Sequence, residues 1–343
     1  MRTPFVSLTG ASGADLVEQW GPLLMELRIT DERGSEADKL TAVLDDRDGR
    51  VVYPQTGAKV TASGGYRESG GVVLNEFVID QVSLEGWPQR IILQGSSVEA
   101  KAASKQRRTE THKATEVPTL GDLADKVAGR NGWTAAVAQD LRSIPITEAI
   151  HQAEQSDLAC ITAFIERHDG MVAVKQGRLV AVMRGEMQSA SGTALPPVII
   201  APGVNLLTYR VNWSDRPLYK KVESRYFDRA KAMPEKVEVE VDKEAAGDAV
   251  DVLRDPFPTK EEAQRAAEAR ARELTRGDGS ATFEIEGDPT VSAETPVLAR
   301  GIRAGVDGLW VPTRVEHSWS ARGYTSRMET ETPGKGDSRS EDA

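Results

Sequence analysis

The sequence predicts an α+β fold that is mainly β, and three observations carry that expectation. Short segments in which apolar and polar side chains alternate with a period of two fill residues 1–100 and 191–331. Helical periodicity concentrates in residues 101–190, with one long helix placed later. Gly-rich and charged turns punctuate the strands. The chain therefore divides into a first β region over 1–100, a small α+β unit over 101–190, a second β region over 191–331 with one long helix, and a tail over 332–343. The tail, "TPGKGDSRSEDA", is polar enough to be expected disordered. Regular strands of this kind suggest barrels or sandwiches.

The first region opens its clear alternation at "MELRIT", where Met25, Leu27 and Ile29 face away from Glu26, Arg28 and Thr30. "KLTAVL" repeats it with Leu40, Ala42 and Leu44, and "DDRDGR" follows as a charged turn. In "NEFVIDQVSLEG", Phe77 and Ile79 lie in one phase and Val82 and Leu84 in the other. A change of phase predicts a bulge or bend. "RIILQGS" closes the set.

Composition shifts at "KAASKQRRTETHK", residues 101–113, expected to be a solvated linker. The helix "TLGDLADKVAGRNG" follows, with Thr119 as N-cap and Asp122 placed for a reciprocal capping contact. Leu120, Leu123, Ala124 and Val127 form its inner face, and Asn131-Gly132 ends it. "QSDLACITAFIERHDG" reads as a second helix capped by Ser156 and stopped at Gly170, burying Leu158, Ile161, Phe164 and Ile165. "MVAVKQGRLVAVMRG" reads as a hairpin turning at Gln176-Gly177. In the last region "KVESRYFD" and "KVEVEVD" alternate. "TKEEAQRAAEARARELTRG" is a helix with a Thr259/Glu262 capping box, a small-residue stripe of Ala263, Ala267, Ala271 and Leu274, and Gly277 as its stop. That stripe predicts close packing on a sheet. "ATFEIEGDP" and "LWVPTRVEHSWS" are further strands. No sequence repeat is visible, although the two β regions are free to share an architecture.

Several function classes are disfavoured. A net charge of −10 argues against affinity built on phosphate neutralisation. No run of about 18 apolar residues exists to span a membrane, and the N-terminus lacks an apolar signal core. A single cysteine rules out an internal disulfide and suits a reducing cytosol.

Candidate chemistry is sparse. Cys160 and His168 lie eight residues apart on one helix, about 12 Å along its axis, too far for a thiolate–imidazole pair. Cys160 is expected buried and inert. His112, His151, His168 and His317 are scattered without metal-ligand spacing. "LDDRDGR" aligned on Gly49 as a calcium loop puts Leu44 first and Gln55 last, and fails. "GGYRESGG" lacks the Lys-Ser/Thr ending of a phosphate cradle and reads as a hairpin loop. Arg107 and Arg108 form the one basic cluster, without interleaved aromatics. The sequence thus supports no catalytic residue, no cofactor-binding residue, no metal site and no cofactor.

The ordered series of segments resembles the phage late control gene D proteins, the tail or baseplate hub proteins of contractile phages and related injection machines. The resemblance spans about residues 20–330. It runs through "ELRITDERGSEADKLTAVLDDRDG", "FVIDQVSLEGWPQRIILQGSS", "KQRRTETH" with "TLGDLADKVAGRNGW", "QSDLACITAFIERHDGMVAVKQGRLVAVMRG", "EEAQRAAEARARELTRG…FEIEGDP" and "WVPTRVEHSWSARGYTSRMET". The chain departs from the family at Cys160 and Ile161, where larger residues are usual.

The resemblance implies two tail-tube-like β domains flanking the α+β unit, and a homotrimeric hub. Such a trimer adapts a six-fold tail tube to a three-fold spike. It further implies a tail-tube protein, a spike protein and other baseplate proteins as partners, with DNA only as passing cargo and no membrane insertion. The expected location is the virion tail or baseplate, assembled in the bacterial host cytoplasm. Excess acidity is expected to line the lumen, on the evidence of strands such as "KVEVEVD". The chain is expected not to be an enzyme. The alternatives are a tail-associated peptidoglycan hydrolase and a standalone β binding module.

Overall fold

The computed structural model describes residues 2–98, 106–175, 177–213, 219–228, 231–241, 249–275, 279–293 and 295–333. Gln176, Gly277 and most of the expected tail lie outside the described residues. The first region contains β1 (Pro4–Gly10), α1 (Leu16–Trp20), β2 (Leu24–Glu32), β3 (Lys39–Asp45), β4 (Lys59–Tyr66), β5 (Gly70–Glu85) and β6 (Arg90–Ser97). The middle unit contains β7 (Arg107–His112), α2 (Leu120–Arg130), β8 (Thr134–Val137), α3 (Gln139–Arg142), β9 (Ile150–Ser156), α4 (Asp157–Glu166), β10 (Gly170–Lys175) and β11 (Arg178–Met183). Next come β12 (Val198–Ile200) and β13 (Leu206–Trp213), followed by β14 (Lys221–Asp228), β15 (Met233–Glu240), β16 (Val250–Val252) and α5 (Lys260–Thr275). The chain closes with β17 (Gly279–Glu286), β18 (Val297–Ala299), β19 (Gly308–Ser320) and β20 (Gly323–Glu331).

Strands from both ends of the chain share one twelve-stranded sheet, ordered β1-β4-β5-β6-β3-β2-β19-β20-β17-β13, with β18 and β12 continuing from β19. The two halves repeat a strand order: β4-β5-β6-β3-β2 in one matches β18-β19-β20-β17-β13 in the other. Their bulges match as well. β5 shifts register between Ile79 and Gln81, and β19 between Pro312 and Arg314. β2 shifts between Leu24 and Glu26, and β13 between Leu206 and Thr208. Met25 and Leu207, the extra residues, are both exposed. The β5 bulge is the phase change read in the sequence. The β19 bulge sits beside Pro312, which has no N–H for a ladder.

The halves are stitched by β2 and β19, which place Leu27 opposite Trp319 and Ile29 opposite His317. Trp319 stacks on Tyr324 with ring centroids 4.3 Å apart, and both rings belong to the first half's core. Gly64 makes room for them, since a Cβ there would stand 2.5 Å from the Trp319 ring. The Tyr66 hydroxyl donates to the Gly287 carbonyl across the same seam. A separate core around Phe283, Trp310 and Met328 fills the second half.

The middle unit packs α2 and α4 against the sheet β10-β11-β8. Thr119 and Asp122 form the expected reciprocal cap, and the Ser156 hydroxyl accepts the Ala159 N–H. Helix α4 ends at Glu166, before the glycine expected to stop it. Asp169 makes the turn at φ +62°, and Gly170 instead admits Ile165, which a Cβ would meet at 2.5 Å. Phe164 is only half-buried, lying under the Arg167 guanidinium, whereas Ile161 and Ile165 are fully enclosed.

Within the expected solvated linker, Arg107–His112 form strand β7, antiparallel to β9, while residues 101–105 lie outside the described residues. Its charges fold inward because partners await them. Glu110 accepts from Lys126 and Arg130, both at 2.8 Å, and these two cations pull its carboxyl down to about 2. The buried Asp157 accepts from Arg130, Asn131 and Gln152. His112 is fully buried and bonds Gln152.

The strands "KVESRYFD" and "KVEVEVD" stand apart from the large sheet. β14 and β15 join β16 in a three-stranded sheet under α5. Ala263, Ala267 and Ala271 are buried there as the stripe predicted, and the Ser224 hydroxyl donates to the Ala263 carbonyl.

Asp31 ties the middle unit to both halves. It accepts from Lys175 of β10 and from the Ala293 N–H. Asp38 lies 3.9 Å from the same ammonium, at the rim of a cavity of about 630 Å3. Burial pushes the Asp38 carboxyl up to about 6, against the pull of Lys175 and with the push of Asp31.

Two outcomes follow for stability. Ile161→Ala should cost about 2–5 kcal/mol, and more than Phe164→Ala, as read from urea midpoints. Asp38 binds its proton more tightly folded than unfolded, so its contribution is full below pH 4 and lost as pH rises through about 6. The stability of Asp38→Asn relative to the parent should therefore be greater at pH 7.5 than at pH 4.5, by urea denaturation at both. An equal difference at the two pH values would contradict the assignment.

Candidate assembly interface

Eight strands of the large sheet, β5-β6-β3-β2-β19-β20-β17-β13, are antiparallel at every step. Among the described residues this run has two unpaired ends. β4 accompanies β5 only as far as Val78, so beyond the bulge Gln81–Glu85 pairs with β6 alone. Beyond a bridge from Leu206 to Pro202, β13 pairs with β17 alone. An even number of alternating strands makes these two ends run in opposite directions.

Both ends carry apolar side chains on the face that continues the cores. Val82 and Leu84 lie opposite Leu93 and Ile91, yet Leu84 is 65% exposed. Tyr209, Val211 and Trp213 lie opposite Phe283, Ala281 and Gly279, yet Trp213 is 57% exposed. Of the sheet's two other edges, β12 is only three residues long and β1 is blunted. Its Leu8 N–H is bonded by the Asp15 carboxylate, and the Thr3 N–H just before it by Glu68. Proteins cover edges that are not meant to pair, and β13 and the end of β5 are left uncovered.

The opposite face of the run is polar and of mixed sign. One register row sets Glu284, Arg327 and Glu316 side by side, and the next Thr282, Glu329 and Arg314. The acidic-lumen expectation loses its motivating strand here. Glu238 and Glu240 belong to the small sheet, where Glu238 accepts from Lys221.

The residues singled out in sequence do not converge. Cys160 is buried in the middle core, and burial raises its thiol. His168 sits on the turn after α4, where burial and then Arg265, Arg167 and Arg272 hold its imidazole down at about 4. His317 is enclosed at the seam. Its Nε2 donates to the Val291 carbonyl and its Nδ1 accepts from the Ser326 and Tyr324 hydroxyls. His151 bonds Thr111 on the neighbouring strand. Asp46–Gly49 is a charged turn, and Gly64–Gly71 is the β4–β5 hairpin. Arg108 lies 3.6 Å from Asp157 and serves the middle unit. Among the described residues no three His, Cys, Asp or Glu side chains are grouped to hold a metal, and no helix is long and apolar enough to cross a membrane. Sequence reading passed over β13, whose signal was the alternation of Tyr209, Val211 and Trp213 with Thr208, Arg210 and Asn212 in "LLTYRVNW".

The burial of Cys160 has a simple readout. Native protein should leave its thiol unreacted with a disulfide reagent such as DTNB, and denatured protein should titrate one thiol per chain. Rapid native labelling would contradict its enclosure.

The family model described as phage tail baseplate hub (GPD) matches residues 100–323. The chain is 28% identical to the probable baseplate hub protein of Escherichia phage 186, over 92% of this chain and 90% of that protein. It is 29% identical to the probable baseplate hub protein of Escherichia phage P2, over 90% of this chain and 88% of that one. The tail protein from Neisseria meningitidis MC58 shares its fold, with a TM-score of 0.71 at 12% identity over 96% and 97% of the two chains. A family match over most of the chain and relatives covering nearly its full length agree. The chain belongs to the phage tail baseplate hub (GPD) family, and is a structural component of a virion tail, not an enzyme.

Proposed function

We propose that this hub acts as a homotrimeric symmetry adaptor, seating a six-fold tail tube on one side and a three-fold spike on the other. One observation carries the reading: a single chain holds two halves with the same strand order and matching bulges, joined in one sheet. Three such chains present six like units while keeping true three-fold symmetry. Closed ring symmetry of this kind stops growth at a defined size.

The roles then divide by face. The six repeated units form a rim of tube-like β domains that meets the tail-tube protein. The polar face of the sheet lines the channel through which DNA passes as cargo. Its Glu and Arg side chains alternate in register, with Arg314 3.5 Å from Glu32 and 3.7 Å from Glu329, so the face offers phosphate no continuous positive strip. The middle unit and the α5 layer face outward, towards other baseplate proteins. Assembly in the host cytoplasm suits a chain whose lone cysteine is buried.

Reconstitution with tail-tube and spike proteins tests the adaptor. Mass measurement should find three of the 37.2 kDa chains per tube end. A hub that binds as one or two copies, or that stays monomeric with both partners present, would contradict it.

A further inference from the structure

We propose that β13 of one copy pairs with the end of β5 in the next copy, reproducing between chains the joint that β2 and β19 make within one. The proposal rests on the ring reading above and deepens it by naming the joining edges and their register.

The matching bulges align the two halves residue by residue. Counting from them, β5 from Gln81 onward corresponds to β19 from Arg314 onward, and Leu27 and Ile29 of β2 correspond to Tyr209 and Val211 of β13. Within the chain, β19 pairs with β2, the counterpart of β13. The strands left without this pairing are β13 itself and the end of β5, the counterpart of β19. Each half thus offers one edge of each kind, and only one of the two possible joints is made inside the chain.

The internal joint dictates the external register. Val315 opposite Asp31 and Glu316 opposite Thr30 translate into Val82 opposite Trp213 and Ser83 opposite Asn212. Continuing the ladder puts Leu84 opposite Val211 and Glu85 opposite Arg210. This register follows from the backbone alone, and each pair it makes is complementary. Two apolar pairs fall on the core face and would cover the exposed Leu84 and Trp213. On the polar face an exposed Glu meets an exposed Arg. The strands meet antiparallel, as every other pair in the run does. Opposite charges facing across strands stabilise the pairing, and like charges destabilise it.

The test is a double substitution, Ser83→Cys with Asn212→Cys, in the full-length chain assembled with its tail-tube protein. Directly opposed strand positions lie about 4.5–5.5 Å apart, within disulfide reach. Mild oxidation should give covalent trimers on non-reducing gels, with peptides linking positions 83 and 212. The off-register pair Ser83→Cys with Arg210→Cys should not cross-link. Glu85→Arg should weaken self-association about fivefold per joint, and adding Arg210→Glu should restore it. If the assembly has three chains by mass but shows no 83–212 linkage and no rescue, the joint is wrong while the ring stands. If no self-association occurs with the tube protein present, the ring reading falls as well.

Discussion

The pairing of β2 with β19 is the interaction on which the rest of the molecule depends. It joins residues nearly three hundred positions apart and turns two small β layers into one sheet. Closing so long a loop is costly in chain entropy only slowly with length, and the seam returns more than backbone hydrogen bonds. Trp319 and Tyr324, carried in on β19 and β20, complete the core of the first half. The first half does not enclose its apolar surface without these two rings, whereas the second half fills its core with its own side chains. The cost is an open sheet, and an open sheet leaves edges that must be blunted or used.

The middle unit is attached to this sheet by charge rather than by a shared core. Lys175 reaches Asp31 of β2, while Arg272 of α5 ties the small three-stranded layer to the middle unit at the buried Asp169. Its own interior is held by an apolar cluster and by the Glu110–Arg130–Asp157 network, in which the buried carboxylate has three donors. This explains why an acidic residue stands at the first turn of α4. A buried charge is tolerated only when its partners are in place, and β7 delivers some of them.

Much of the local structure was legible in the sequence. The period-two strands "MELRIT" and "KLTAVL", the bulge after Ile79, the caps at Thr119 and Ser156, and the alanine stripe of α5 all follow from short-range rules. What failed was non-local. "KQRRTETHK" looks solvated because nothing nearby in sequence shows that Lys126 and Arg130 will meet Glu110. "KVEVEVD" alternates as well as any strand of the large sheet, yet the fold assigns it to another layer. The duplication is invisible because the two halves keep strand order and bulge position while sharing few side chains. Leu27 answers to Tyr209, and Ala42 to Phe283. Edges escape for a related reason: β13 alternates Tyr209, Val211 and Trp213 with Thr208, Arg210 and Asn212, which in sequence is the pattern of any half-buried strand and in the structure is an edge.

In the proposed ring, the joint inside the chain and the joint between chains are the same joint. Amide hydrogen exchange on the assembled hub tests it most directly. Residues of β13 and of Gln81–Glu85 should be exposed to exchange in the free chain and become as protected on assembly as those of β2 and β19. Amides in these two segments that exchange equally fast before and after assembly would contradict it.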